Sequence, residues 1–122
     1  MTVAEAQPIN RKALMTAFLD PAAQVVQVRA AEVELAPGLQ AGAHRHPCHV
    51  VGHVVAGEIR YQLDGEEATV LRPGDAFFEP AGATVLHFDN VNDKAPATFV
   101  AYYLLPEGED RLVVMLDPQE PA

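Results

Sequence analysis

From residue 24 onward the chain is cut into short apolar runs separated by turn residues. Val25, Val26, Val28, Val33 and Leu35 lead into Pro37-Gly38, a turn pair, so residues 24–35 are predicted as a strand. A second run covers 49–55 and ends at Gly57. Residues 58–63 alternate Ile59, Tyr61 and Leu63 with Arg60 and Gln62, the period of a half-buried strand. Asp64-Gly65 suits a type I′ hairpin, with 66–71 as the returning strand. Pro73-Gly74 and Pro80-Ala81-Gly82 then bracket a strand at 75–79, and further strands are expected at 84–88 and 98–105. A last run at 112–116 would lie on an edge or cross to a partner. Residues 5–19 have room for a helical turn or two that Pro8 keeps brief, and 12–19 reads equally well as a first strand.

Strands in this number, with turns every 8–12 residues or so, need closure or a second sheet to cover their apolar faces and edges. The pattern therefore predicts an all-β jelly roll or small barrel with less than about one residue in eight helical. No repeat, linker or low-complexity tract divides the 122 residues, and that length suits one core. Eight Lys and Arg against seventeen Asp and Glu leave a net charge of −9 with no basic cluster, which argues against nucleic acid and anionic lipid as partners. Cys48 is alone and cannot form an internal disulfide, and the first ten residues lack an apolar signal core. A cytoplasmic setting is expected. Apolar runs at 113–115 and 99–105 would leave patches on a monomer, so a homodimer is expected as well.

The chemistry is concentrated in the histidines. Of five, His44, His46, His49 and His53 fall within ten residues just after the Pro37-Gly38 turn, and His87 lies far along the chain. Residues two apart on a strand share a face, so His44 and His46 can aim two imidazoles at one point inside a barrel. The same residues also admit a plain reading, with His-x-His arising by chance, His49 and His53 exposed and His87 half-buried.

At this point the chain resembles the cupin superfamily, and in particular its small single-domain conserved-barrel members. Gly38, His44, His46 and Gly57 follow the first cupin motif, G-x5-H-x-H-x3-E-x6-G, at its spacing. Gly74, Pro80 and Gly82 follow the second, roughly G-x5-P-x-G-x2-H-x3-N. The resemblance runs from about residue 26 to 106 and implies one cupin domain over 1–122, a double-stranded β-helix (jelly-roll) barrel. It also implies a small-molecule ligand in the lumen and a divalent metal ion, Zn²⁺, Fe²⁺, Ni²⁺ or Cu²⁺, held by imidazoles at about 2.0–2.2 Å.

Two departures bear on that metal. The motif's acidic ligand falls at Val50 and its second histidine at Val85. His87 is two residues beyond Val85, on the same face if the strand is regular, so His44, His46 and His87 form the expected ligand set. His49 could join through a bulge, whereas the parity of His53 aims it away. Cys48 could swing toward the pocket mouth or be a small buried thiol. Glu79, at the end of the 75–79 strand, could serve as a base or as partner to an imidazole, or be a solvated strand end. The functional expectation is a metal-binding cupin that binds or transforms a small organic molecule by an oxygenase, isomerase or lyase step. The alternative is a metal-free, non-catalytic cupin acting as a ligand-sensing or storage module.

Overall fold

The structure, a computed structural model, describes residues 9–116. Nine strands are assigned among them and no helix: β1 (Val25–Leu35), β2 (His44–Arg45), β3 (His49–Ala56), β4 (Ile59–Leu63), β5 (Thr69–Leu71), β6 (Ala76–Glu79), β7 (Thr84–Asn90), β8 (Ala97–Pro106) and β9 (Val114–Met115). They form two antiparallel sheets, ordered β1-β8-β3-β6 and β5-β4-β7-β2-β9, the two-walled barrel expected of a jelly roll. The inward side chains of both walls make one apolar core that includes Val50, Val54, Ile59, Phe77, Val85, Phe88 and Leu105. No helix of the described residues is long and apolar enough to cross a membrane.

Close packing of the walls dictates some residue choices directly. Gly52 lies where the Phe77 ring and the Val100 carbonyl cross β3, and a Cβ there would collide with both. Only glycine allows that approach.

Three local expectations are corrected. Of the 5–19 stretch, residues 5–8 lie outside the described residues and 9–19 form neither strand nor helix: Leu14 and Phe18 are exposed, and no strand of the sheets pairs with this stretch. The Asp64-Gly65 turn has positive φ only at Gly65, whereas a type I′ turn needs it at both central residues. The Glu66 amide donates to the Leu63 carbonyl, closing a four-residue turn with glycine third, as in type II. That turn does not match the strand twist, and the return strand is shortened from 66–71 to Thr69–Leu71. Of the 112–116 run only Val114–Met115 is strand, and it lies at the sheet edge, one of the two places expected for it, paired with β2 of its own chain.

A register slip in β7 matters most for the site. Gln62 faces His87 and Leu63 faces Val85, so Leu86 is an extra residue without a partner on β4. Such a bulge reverses the alternation beyond it. Val85 and Phe88, three apart, are therefore both buried in the interior, and His87 falls on the other side.

Candidate metal centre

β2 is held on both sides, His44 opposite Val85 of β7 and opposite Met115 of β9. This clamp fixes the histidines at the lumen wall, where His44 and His46 are both buried with ring centroids 5.1 Å apart. Each ring is oriented by a backbone carbonyl. His44 Nδ1 lies 2.8 Å from the Gly42 oxygen and His46 Nδ1 lies 2.6 Å from the Leu112 oxygen. A carbonyl can only accept, so Nδ1 carries the proton in both rings and Nε2 is left facing the cavity.

The third group comes from β6. Glu79 is 2% exposed, and its Oε1 lies 2.9 Å from His46 Nε2. With Nδ1 already protonated, a neutral His46 would oppose a lone pair to a carboxylate oxygen, so a cation belongs between them, either a proton or a metal ion. Burial lowers the His46 pKa, but Glu79 and the Leu112 carbonyl outweigh it and the net shift is upward. For His44 burial prevails: it and the neighbouring His46 lower the pKa despite the Gly42 carbonyl. Glu79 Oε2 is buried with no partner at hydrogen-bond distance, the Tyr61 phenol reaching the carboxylate only weakly, and a bound ion would satisfy it. The ligand atoms of His44, His46 and Glu79 all lie within 4.8 Å of one another. Two imidazoles and a carboxylate are a donor set that suits a divalent ion with positions left open, so the residues present fit the metal.

These groups form one wall of a cavity of about 190 Å³. The rest of its lining is apolar except for Tyr103, and includes Val33, Phe77, Phe88 and Phe99, with Val113 and Met115 of the C-terminal segment. Tyr61 and Tyr103 are pushed up in pKa, by burial first and then by the Glu79 carboxylate, so both are neutral phenols near the centre.

The other sequence candidates are dispersed. His87 is not part of this group: the bulge at Leu86 turns it from the lumen, and its Nδ1 pairs with Asp89 Oδ2 at 2.8 Å on a side chain 36% exposed. His49 is buried, but it points to a separate cleft beside Ala81, whose amide donates to its Nδ1 at 3.0 Å. Cys48 is 2% exposed and borders that same cleft; burial, with Glu109 nearby, raises its pKa and keeps it a thiol. His53 lies beside the Tyr102 ring and does not border the cavity. Glu79, open in sequence between partner and solvated strand end, is the buried partner of His46. Its signal was pairing: β3 and β6 set Val50 directly opposite Glu79, so a carboxylate stands beside the position where the motif's acidic residue is missing.

A cupin-domain family profile matches residues 31–103, more than half the chain, and the chain belongs to that family. It is 36% identical over 73 residues to a cupin-domain-containing oxidoreductase, srdB, of Neurospora crassa, a match covering 60% of this chain and 36% of that one. Among solved structures it superposes on a DMSP lyase, DddQ, of Ruegeria pomeroyi with a TM-score of 0.64 and 24% identity, covering 77% of this chain and 45% of the other. It superposes on an oxalate oxidase in complex with the substrate analogue glycolate with a TM-score of 0.61 and 26% identity, covering 73% and 46%. A cupin sugar phosphate isomerase of Silicibacter pomeroyi gives 0.57 and 28%, covering 66% and 52%. The chain thus spans about half or less of each of these relatives.

Proposed function

We propose that this chain is a metal-dependent cupin in which His44, His46 and Glu79 hold a divalent ion and the lumen binds or transforms a small organic molecule. One observation carries the reading: His46 Nε2 and Glu79 Oε1 approach to 2.9 Å with Nδ1 already committed, while Glu79 Oε2 is buried without a partner. A bound ion would polarise a ligand oxygen as a Lewis acid or serve oxygen-dependent chemistry. The chain's own groups would do the rest. The Gly42 and Leu112 carbonyls orient the two rings, and the apolar walls limit water around the centre. The oxidoreductase and oxalate oxidase relatives support an oxidoreductase step, and the sugar phosphate isomerase supports proton transfer next to a carbonyl. The reading takes the chain as one cytoplasmic cupin domain that pairs as a homodimer.

Metal content of untagged protein, followed by zinc titration calorimetry, tests it. About one ion per chain is expected, with binding lost in His46→Ala. Protein that carries no metal and takes up none of Zn²⁺, Fe²⁺, Ni²⁺ or Cu²⁺ would favour the second reading, a metal-free ligand-binding module. What supports that alternative is the pair itself, since a proton between His46 and Glu79 also satisfies Oε1.

A further inference from the structure

The walls of the lumen restrict what can sit beside the centre. Among the described residues the polar side chains that line the cavity are His44, His46, Glu79 and Tyr103, with the buried Tyr61 phenol beside Glu79; of the chain's eight Lys and Arg residues, none borders it. Two neutral imidazoles, one carboxylate and a dication sum to a single positive charge, which one anionic group neutralises. A second carboxylate, a phosphate or a row of hydroxyls would be pressed against Val33, Leu35, Phe88 or Phe99 without a partner, and buried groups of that kind are strongly disfavoured. Size adds a second limit, because an apolar cavity of roughly 150 Å³ holds a benzene molecule.

From these limits we propose that the lumen takes a compact apolar molecule of about six to ten heavy atoms, carrying one neutral or monoanionic oxygen group that sits at the His44–His46–Glu79 end. The inference rests on the metal reading above for the preference for an anion. The apolar preference rests on the walls alone.

Calorimetric titration of the full chain separates the two. Zinc is added first, which tests the metal reading by itself. The zinc-loaded protein, dialysed free of excess ion, is then titrated with benzoate, cyclohexanecarboxylate, oxalate and glucose 6-phosphate. Benzoate and cyclohexanecarboxylate are expected to bind at least about tenfold more tightly than the two polar probes, since a site rejects groups it cannot pair. Ala101→Leu, which fills the cavity, and Val113→Phe, at its half-exposed mouth, are each expected to weaken benzoate about tenfold or more while leaving zinc affinity within about twofold. The second variant keeps the test open should the first fail to fold. Oxalate or glucose 6-phosphate binding as tightly as benzoate, or no binding of either apolar carboxylate, would overturn the proposal. If zinc does not bind, Fe²⁺, Ni²⁺ and Cu²⁺ are added in turn; when none of them binds, the metal reading fails and the metal-free chain is titrated with benzyl alcohol against glucose 6-phosphate. Preference for benzyl alcohol then upholds the apolar class, and its absence removes it.

Discussion

The molecule carries two histidine–carboxylate pairs of nearly equal length, His46–Glu79 at 2.9 Å and His87–Asp89 at 2.8 Å, and their surroundings make them different objects. The first joins the β2 segment to β6 across the lumen, with both side chains more than nine-tenths buried and one carboxylate oxygen unpaired. The second lies within one strand, two residues apart, with the imidazole about one-third exposed and the other Asp89 oxygen taken by the Phe88 amide. Short contact does not define a site. Burial, an unsatisfied atom and a second ring at hand do, because those features leave a demand that only a cation or a ligand meets.

The comparison is broken most directly by removing one imidazole from the lumen pair. An ion that binds only the folded state, present at a hundredfold its dissociation constant, adds about 2.7 kcal/mol of stability, a rise of roughly 10 °C in melting temperature for a domain this size. His46→Ala is expected to abolish that rise entirely, as read by differential scanning calorimetry with and without zinc. A variant that still gained the full shift would move the ion elsewhere.

Next in size is the carboxylate. Glu79→Gln keeps the shape but removes the charge, and zinc affinity by calorimetry is expected to fall by about a hundredfold or more. Because Val50 is the cross-strand neighbour of Glu79, the double variant Val50→Glu, Glu79→Val tests whether the two positions serve one point in the lumen. Recovery to within about tenfold of the original affinity is expected. No recovery would mean that β6 presents its carboxylate in a way β3 cannot copy.

Much of this architecture was legible in the residues, and the reasons differ by element. β1, β3, β4, β6 and β8 follow from alternation and turn chemistry, which are local, and the cupin motifs placed His44 and His46. The role of His87 was not legible, since its inference assumed a regular strand and one unpaired residue, Leu86, reverses every side chain beyond it. Glu79 was ambiguous for a related reason. A strand-end carboxylate looks solvated until the register that puts it opposite Val50 is known, and register is a property of two strands. The Leu112 carbonyl that fixes His46 lies 66 residues away, and no local pattern marks it.

Acidity sharpens the contrast at a smaller scale. The His46 pKa is raised, so in the metal-free protein its pair with Glu79 contributes fully below about pH 6.5, the ordinary imidazole value, and that contribution is lost as pH rises through the raised pKa. His44 is lowered and works the other way, costing stability as pH falls below about 6.5 because the unfolded chain accepts a proton that the folded ring refuses. An ion must displace the His46 proton, so zinc affinity is expected to weaken by about tenfold per pH unit below that raised pKa. NMR titration of the ring signals reads the two histidines separately, with His46 expected above and His44 below the ordinary value. Coincident titration at about 6.5 would remove the electrostatic distinction between them.

The smallest effect is expected at the outer pair. His87 faces Gln62 across the bulge, is about one-third exposed and pairs with Asp89, two residues on in the same strand. A pair with one member in water contributes on the order of 1 kcal/mol or less, and the ring fills no space in the core. His87→Ala is therefore expected to leave zinc affinity within about twofold and stability within about 1 kcal/mol, measured by calorimetry and chemical denaturation beside His46→Ala. The control has force because strand parity alone would have given His87 the third place at the metal. Deleting Leu86 removes the extra residue and should turn His87 back toward the lumen, so that His87→Ala then costs zinc affinity where before it cost none. Loss of zinc binding on His87→Ala in the intact chain would instead mean that β7 reaches the ion with its bulge in place.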